Sequence, residues 1–328
     1  MIQRLVIEGF RGIEQGELED LPPLTVFVGP NNSGKSTVLE SLLLASPGAS
    51  GENIKEIVER RGEIGRMSVE AMIPRGAASL RLVADSLDRK VKFTIDEEGK
   101  LVGHATPGND PLVYSLDDSG GKGWSGRAKE GATAHLIDVG RGVANPSQLE
   151  ELFSWAELAG RREWLISLLR PLLPGLKDIR ILVPRKRPTV FIEDDSGRWP
   201  LTMAGDGFKR LFVLATRIAA ANARFTLIEE PETFLHVGAF SQVARLIWDA
   251  MKPQTAGSNE QWPLEPHIFI TTHSLEYLDA QFLNATDEQL ARAALVRLSL
   301  RQGKLKAVRI EGAKVKELRT EIGEDLRR

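Results

Sequence analysis

The feature that most constrains this chain is a short glycine-rich stretch near its N-terminus. Residues 29–37 read Gly-Pro-Asn-Asn-Ser-Gly-Lys-Ser-Thr and match the pattern G-x-x-x-x-G-K-[ST]. An apolar, β-branched run precedes the stretch, and Val38, Leu39, Leu42 and Leu43 follow it at helical spacing. Glycines let successive N–H groups turn inward, and the following helix adds the positive end of its dipole. The pattern predicts a phosphate-binding loop between a strand and a helix.

Within this loop, each residue type suits one part of a magnesium nucleotide. Lys35 would reach the β and γ phosphates, and the hydroxyl of Ser36 would occupy one position on Mg²⁺. A chance glycine-rich turn is the alternative, and the strand and helix on either side argue against it. The residues predicted to bind the nucleotide are Gly29, Asn31, Asn32, Ser33, Gly34, Lys35, Ser36 and Thr37.

The composition narrows the class of protein. The chain has 328 residues, 42% hydrophobic and 27% charged, which is typical of a globular protein. No apolar run is long enough to cross a bilayer, and the N-terminus reads as an alternating strand, so we expect a cytoplasmic protein with no membrane contact. The absence of cysteine excludes disulfides, thiolate zinc sites and cysteine nucleophiles.

The charge balance bears on nucleic-acid binding. A formal net charge of −2 does not suit a protein that coats DNA. Local basic clusters could still contact phosphates, although a solvated loop or helix face is the alternative for each. These clusters are Arg60–Arg61 with Arg66, Arg161–Arg162, and Arg185–Lys186–Arg187.

A second candidate region is the strand of residues 225–228, which ends abruptly in carboxylates. Glu229, Glu230 and Glu232 follow it, with Pro231 between the last two. In an open α/β sheet the ligand lies beyond the carboxyl ends of the strands, so these acids are expected to face the phosphates. One carboxylate suits Mg²⁺ and a second can deprotonate a water, and we assign these tasks to Glu229 and Glu230. A charged loop after a strand is the alternative.

Another apolar strand, residues 267–272, is followed by His273. Such a histidine is often only a satisfied hydrogen-bond partner, but beside a phosphate loop we interpret it as a γ-phosphate sensor. The other histidines show no zinc-ligand spacing with it.

A further anion site is expected where residues 203–207, Met-Ala-Gly-Asp-Gly, open a helix that runs to about residue 221. Because the chain already has one phosphate loop, this second site suggests contact with a phosphate bound by a neighbouring molecule. A tight turn that caps the helix is the alternative.

The rest of the chain shows local patterns of strands and helices. Alternation predicts antiparallel strands from Met67 through Ile73 and on to Ile95, and the composition of residues 117–126 predicts a glycine-rich loop. Two amphipathic helices follow Pro146, and a hairpin spans residues 295–310. No heptad repeat is sustained, which excludes a long coiled coil.

The order of these motifs resembles the ABC-type ATPase heads of the RecF, SMC and OLD (overcoming lysogenisation defect) group. Residues 5–12, Leu-Val-Ile-Glu-Gly-Phe-Arg-Gly, are similar to the first strand and turn of those heads, and residues 230–236, Glu-Pro-Glu-Thr-Phe-Leu-His, look like their Walker B and D-loop segment. The resemblance implies an α/β P-loop NTPase fold with a mixed central sheet, an inserted antiparallel β subdomain and a small helical lobe. We expect a single head over 1–328, divided at 1–110, 111–200 and 201–328.

The resemblance also implies roles for individual residues. Glu229 would be the Walker B carboxylate that binds Mg²⁺ with Ser36, and Glu230, His273 and Lys35 would be catalytic. The signature motif, which reaches the γ-phosphate held by the other subunit of a head-to-tail dimer, would consist of Ala204, Gly205, Asp206 and Gly207. Two departures stand out: Glu229 replaces a common Asp, and Ala204 replaces the usual signature serine.

The function implied is an ATP-driven homodimer. Since neither coiled-coil arms nor a Toprim nuclease is evident, we expect a stand-alone head that controls a separate effector, such as a nuclease or toxin in anti-phage defence. The competing hypothesis is a RecF-like repair ATPase that binds DNA through Arg60, Arg61, Arg185, Lys186 and Arg187. An AAA+ ring motor fits less well because its acidic strand usually follows the P-loop closely, and a small-molecule kinase would need a lid.

Overall fold

A computed structural model describes residues 2–46, 49, 53–54, 57, 71–74, 76–84, 87–95, 101–106, 111–116, 122–125, 133–138, 146–220, 223–252 and 266–327. Within these ranges the fold is a thirteen-stranded mixed sheet, a separate three-stranded antiparallel sheet and helices on both faces of the large sheet. This is the P-loop α/β fold with a mixed central sheet that the sequence predicts.

The strands of the large sheet are β1 (Ile2–Phe10), β2 (Ile13–Leu21), β3 (Leu24–Val28), β4 (Ala77–Ala84), β5 (Leu87–Ile95), β6 (Leu101–Thr106), β7 (Pro111–Leu116), β8 (Lys122–Ser125), β9 (Thr133–Asp138), β13 (Ala223–Glu229), β14 (His267–Thr271), β15 (Ala293–Arg301) and β16 (Lys304–Glu311). The small sheet consists of β10 (Asp178–Leu182), β11 (Thr189–Asp194) and β12 (Gly197–Pro200). The helices are α1 (Lys35–Ala45), α2 (Pro146–Leu158), α3 (Arg162–Leu169), α4 (Asp206–Ala220), α5 (Phe240–Ala250), α6 (Leu275–Phe282), α7 (Asp287–Ala291) and α8 (Gly312–Glu317).

Five strands form the parallel part of the large sheet, in the spatial order β15-β3-β14-β13-β9. The P-loop strand β3 lies beside β14, and β14 lies beside the acidic strand β13. Because parallel strands end at the same edge, the segments that follow β3, β13 and β14 meet there. This strand order brings together three motifs that are far apart in the sequence.

The other strands of the large sheet pair antiparallel, except where β2 and β16 pair in parallel, and β4 to β8 form an outer arm. β4 pairs with β1, and the arm continues outward through β5, β6, β7 and β8.

The prediction of a loop at 117–126 was wrong for Lys122–Ser125, which pairs with β7. The hydrogen bonds between strands join backbone groups, so the glycine in this segment does not prevent the pairing. The predicted strand through Ala71 and Ile73 was also wrong, since residues 71–72 are helical and the Met72 carbonyl accepts from the Arg11 N–H at 2.7 Å. Residues 67–70 lie outside the described ranges.

Two hydrophobic cores lie on opposite faces of the sheet, because alternate residues of a strand face opposite ways. Val26 and Ile270 contribute to the core that also contains residues of helices α2 to α6. Phe27 and Phe269 contribute to the other core, with α1 and the antiparallel arm, and their rings stack with centroids 6.2 Å apart. The P-loop helix is therefore fixed on one face, and the helix that follows the predicted signature motif packs on the other.

In the part of the chain that the structure describes, none of the helices combines the length and the apolar character that crossing a membrane requires.

Candidate nucleotide-binding site

The P-loop follows β3 directly, and its backbone requires glycine at two positions. Gly29 has a φ of 145° and Gly34, the residue before α1, has a φ of 93°. A Cβ on Gly29 would lie 2.4 Å from the carbonyl oxygen of Leu298 on β15, closer than side chains tolerate. Asn32 also has a positive φ, 63°, which asparagine accepts more readily than most residues. The loop therefore curls tightly, as a phosphate-binding loop must.

The ammonium group of Lys35 lies within the curl of the loop. Its Nζ donates to the carbonyl oxygens of Gly29 at 2.9 Å and Pro30 at 3.0 Å. Burial lowers the pKa of Lys35, while the charges of Glu230 and Glu229 act in the opposite direction. Nearby, the buried hydroxyl of Ser33 has no hydrogen-bond partner. A cation and an unpaired buried hydroxyl in one loop fit an incoming polyphosphate, which can accept from both.

A hydroxyl and a carboxylate meet at the magnesium position predicted from the sequence. Ser36, on the first turn of α1, donates a hydrogen bond to Oε1 of Glu229 at the end of β13, across 193 residues of sequence. Mg²⁺ prefers such oxygen ligands and completes its shell with phosphate oxygens and water, so two protein ligands are enough. No cluster of three or more Asp, Glu or His that could bind a metal occurs among the described residues. The donor set therefore fits Mg²⁺ held jointly with a nucleotide.

Glu230 occupies a strained position immediately after the acidic strand. Its φ is 45°, a left-handed conformation that costs a non-glycine residue about 1–3 kcal/mol. The surrounding turn holds it there: the Glu230 N–H donates to the Thr271 carbonyl at 3.0 Å, and the Thr233 hydroxyl donates to Oε2 of Glu230 at 3.1 Å. Such strain is concentrated at functional sites because it aims a side chain that the regular strand would not.

His273 lies opposite Glu230, with 3.6 Å between its Nε2 and Oε1 of the carboxylate. Burial and the nearby Lys35 charge lower the pKa of His273, while Glu230 opposes this shift. Both side chains are only partly buried, so a ligand can reach them from solvent. The structure thus brings Lys35, Ser36, Glu229, Glu230 and His273 to one edge of the sheet.

Sequence reasoning did not single out Thr272 or Arg327, and it grouped Glu232 with the acids that face the phosphates, whereas all three lie behind His273. Glu232 accepts hydrogen bonds from the Thr272 hydroxyl and from the His273 N–H, the latter at 3.2 Å. Arg327 donates to the His273 carbonyl at 3.0 Å. Glu232 could have been suspected from its place in the Glu-Glu-Pro-Glu run, but no local pattern connects Arg327 with this site.

The predicted signature motif lies at the start of α4. No hydrogen bond or ion pair of the described residues connects Ala204, Gly205, Asp206 or Gly207 with the P-loop. Asp206 is exposed, and its hydrogen bond with Lys209 lowers its pKa. Neither Gly205 nor Gly207 has a positive φ, and a Cβ on either would meet no atom within 4 Å. Gly205 and Asp206 are therefore exposed in the single chain, whereas Ala204 is half-buried against the core that contains α4.

The basic clusters differ in how much the structure says about them. Arg60, Arg61 and Arg66 lie outside the described residues. Arg185 and Lys186 belong to a short 3-10 turn between β10 and β11, and Lys186 and Arg187 are exposed. Arg162 is instead used internally, because it bonds the Asp178 carboxylate and the Ile179 carbonyl. The exposed turn remains available for a partner.

Two family models match separate parts of the chain. Residues 4–101 match a model described as an AAA domain, and residues 162–279 match one described as an AAA domain, putative AbiEii toxin of a type IV toxin–antitoxin system. An uncharacterized protein of Methanocaldococcus jannaschii is 30% identical over 145 residues, which are 42% of this chain and 61% of the relative. The DNA replication and repair protein RecF of Salmonella newport is 30% identical over 98 residues, 30% of this chain and 25% of RecF. The matches thus span about three fifths of the first relative and a quarter of RecF.

Solved structures show the same fold along nearly the whole chain. The SMC head domain of Thermotoga maritima aligns with a TM-score of 0.53 and 16% identity, covering 94% of this chain and 99% of that one. An SMC head bound to the C-terminal winged-helix domain of ScpA aligns with a TM-score of 0.59 and 12% identity, covering 94% and 98%. The two AAA-domain matches, the similarity to RecF and the SMC-head fold together support an ABC-type ATPase head of the RecF/SMC group.

Proposed function

We propose that this protein binds Mg²⁺ and ATP at the P-loop and hydrolyses the γ-phosphate as a switch. The observation that carries the proposal is the meeting of Lys35, Glu230 and His273 at the carboxyl edge of the sheet, with 3.6 Å between Glu230 and His273. In this reading Lys35 exchanges its bonds to the loop carbonyls for phosphate oxygens. A polyphosphate is the ligand that offers such acceptors.

The chain's own residues account for each part of hydrolysis. The P-loop N–H groups and Lys35 hold the β and γ phosphates, and Ser36 and Glu229 would hold Mg²⁺, which neutralises charge between those phosphates when bound. Glu230 orients a water and takes its proton as the water attacks the γ-phosphorus in line with the bond to the β-phosphate. That bond breaks, and ADP and phosphate remain. His273, facing Glu230, contacts the γ-phosphate and reports its presence.

The active form in this proposal is a head-to-tail homodimer, in which the start of α4 completes the partner's site. The open space around Gly205 and Gly207 supports this, because none of the residues that the structure describes requires glycine there, whereas close approach of another molecule does. Large apolar side chains are also exposed near these segments: Met203 is 74% exposed and Phe234 is 67% exposed. A partner that covers them would bury this surface.

The output of the switch is proposed to be control of a separate effector protein. The match of residues 162–279 to a putative AbiEii toxin family supports a role in a toxin-like or anti-phage system. Purification from the native host tests this step: a reproducible partner that is released when ATP is hydrolysed would support it. Full biological activity of the isolated chain would contradict it.

Two variants test the ATPase switch. Lys35→Ala should abolish ATP binding in calorimetry, because the loop loses its only side-chain cation for the phosphates. Glu230→Gln keeps the loop intact but removes the base, so it should bind ATP, fail to hydrolyse it and accumulate as a dimer in light scattering. A Glu230→Gln protein that stays monomeric with saturating ATP would contradict the proposed dimer. Normal turnover by this variant would contradict the role of Glu230 as the base.

A second candidate function is a RecF-like ATPase that binds DNA. The match to RecF and the exposed turn with Lys186 and Arg187 favour it. Charge reversal at both positions should strongly weaken ATP-dependent duplex binding, and the binding that remains should depend less on salt, since fewer phosphates are neutralised. Arg301→Glu combined with Lys304→Glu, at an exposed hairpin end, is the matched control for the change in charge. Equal DNA binding by the wild type and the double reversal would exclude this surface.

A further inference from the structure

We propose that Glu232 and Arg327 are positioning residues that hold the peptide backbone of His273 from opposite sides. This inference rests on the ATPase proposed above, in which His273 contacts the γ-phosphate. Glu232 accepts from the His273 N–H, and Arg327 donates to the His273 carbonyl oxygen. Both backbone groups of the histidine are therefore held by side chains, although His273 lies in a loop between β14 and α6.

Glu232 belongs to the segment after the acidic strand. Its side chain is 9% exposed, and one carboxylate oxygen accepts from both the Thr272 hydroxyl and the His273 N–H. The other oxygen is buried without a hydrogen-bond partner. Burial raises the pKa of Glu232, with the neighbouring Glu230 adding to the effect. A buried carboxylate is costly, so its retention fits a specific task for the oxygen that is bonded.

Arg327 approaches from the C-terminal segment, residues 318–327. Its guanidinium is oriented by Asp325 through two hydrogen bonds of 2.8 and 2.9 Å, and it donates to the His273 carbonyl at 3.0 Å. Leu326, between these two residues, is fully buried in the core that contains α6. The preceding Arg residue of the segment, Arg319, makes a two-pronged contact with Asp279 of α6 at 2.7 and 2.8 Å. The segment is thus fixed to the helix that begins just after His273.

This arrangement has a consequence for catalysis. A loop residue that must contact a phosphate to within a few tenths of an ångström acts better when its backbone is fixed, because small displacements lower the catalytic rate by large factors. Neither Glu232 nor Arg327 touches the P-loop through any described contact, so their loss should affect turnover rather than ATP affinity. They link the nucleotide site to two separate parts of the chain.

The test compares substitutions two residues apart in the acidic run. Glu232→Ala should lower kcat about tenfold or more with ATP affinity nearly unchanged. Glu232→Gln keeps an acceptor oxygen for Thr272 and His273, so it should restore most of the lost turnover, whereas Glu230→Gln should stay inactive. Thr272→Val removes the hydroxyl that donates to Glu232 and accepts from the Ser274 N–H, with little change of shape. It should also lower kcat, and it covers the case in which Glu232→Ala does not fold. A Glu232→Gln protein as inactive as Glu230→Gln would overturn the proposal, because a role in holding the backbone does not need the charge.

Arg327→Ala supplies an independent test, with Arg309→Ala, which breaks an exposed ion pair with Glu311, as the matched control. Arg327→Ala should lower kcat about tenfold. In histidine-labelled NMR spectra, assigned with His273→Asn, it should also move the His273 resonance and raise the pKa of His273, because a nearby cation is removed. The other charges that face His273 are Lys35, Glu230 and Glu232, and they stay in place.

The two readouts separate this inference from the proposed function. If the wild type hydrolyses no ATP, the proposed function fails, while the NMR comparison still decides whether Arg327 holds His273. Unchanged kcat and an unchanged His273 signal in Arg327→Ala would overturn the inference and leave the ATPase standing.

Discussion

Gly29→Ala is the substitution that should best distinguish the effect of a Cβ in the P-loop from the effect of a Cβ elsewhere in the fold. Gly29 has a φ of 145°, and a Cβ there would lie 2.4 Å from the Leu298 carbonyl oxygen and 2.7 Å from the Ser33 hydroxyl. Gly197, the first residue of β12, has a comparable φ of 122° but none of the described atoms lies within 4 Å of its Cβ position. Gly197→Ala is therefore a control that has the backbone strain without the overlap.

The magnitudes follow from these two differences. An unfavourable φ costs about 1–3 kcal/mol, which is all that Gly197→Ala should lose in unfolding free energy. Gly29→Ala adds an overpacking cost of about 1–3 kcal/mol, because the obstructing atom is backbone of the neighbouring strand and cannot rotate away. Relief by a shift of the loop would also displace the Gly29 carbonyl that accepts from Lys35.

Urea unfolding and the fluorescence of a labelled ATP analogue measure the two effects. Gly197→Ala should bind ATP like the wild type. Gly29→Ala should lose about 2–6 kcal/mol of stability and at least a hundredfold in ATP affinity, which corresponds to about 3 kcal/mol. Wild-type ATP affinity in Gly29→Ala, together with a stability no lower than that of Gly197→Ala, would refute the reasoning.

Two further predictions concern pH and the exposed surface. Burial, with a smaller effect of Arg217, lowers the pKa of His135 to about 4. A histidine in an unfolded chain has a pKa near 6.5, so as the pH falls the unfolded chain binds a proton at His135 before the folded chain does. The free energy of unfolding should therefore be about 2 kcal/mol lower at about pH 5 than at neutral pH. His135→Gln should flatten this slope in urea titrations, and an unchanged slope would contradict the assignment. Phe234, 67% exposed with the Arg210 guanidinium 4.3 Å from its ring centre, should anchor the partner subunit. Phe234→Asp should abolish the ATP-dependent dimer in light scattering yet leave unfolding and monomer ATP binding unchanged, whereas a surviving dimer would place the interface elsewhere.

The elements around the site could be predicted because their signals are local. The P-loop pattern, the buried run of β3 and the apolar spacing of α1 all lie within residues 24–45, and the structure confirms this strand, loop and helix. The strand before Glu229 and the strand before His273 were likewise visible as apolar runs. Their meeting at one edge was inferred from the general geometry of parallel sheets, and β14 does lie between β3 and β13.

The remaining features depend on contacts between distant segments. The hydrogen bond of Arg327 with the His273 carbonyl spans 54 residues, and no periodicity or motif encodes it. The positive φ of Glu230 accompanies its hydrogen bond to the Thr271 carbonyl on the neighbouring strand, which no residue type reveals. The pairing of β8 with β7 rests on backbone groups, so the composition of that segment was misleading.

The most direct measurement of the central claim, a nucleotide site shared between two copies of the chain, is complementation between two inactive variants. Glu230→Gln removes the base beside a chain's own P-loop. Gly207→Glu places a bulky carboxylate at the start of α4, where the single chain has room for it, and blocks only the partner's site. In a head-to-tail heterodimer one site carries both defects and the other carries neither.

Each variant alone should therefore hydrolyse no ATP, and an equal mixture should recover up to about a quarter of the wild-type rate, since half of the dimers are mixed and each has one intact site. Recovery that rises with protein concentration and saturates would be the expected result. A mixture as inactive as its two components, with mixed dimers demonstrated by mass spectrometry, would contradict the shared site.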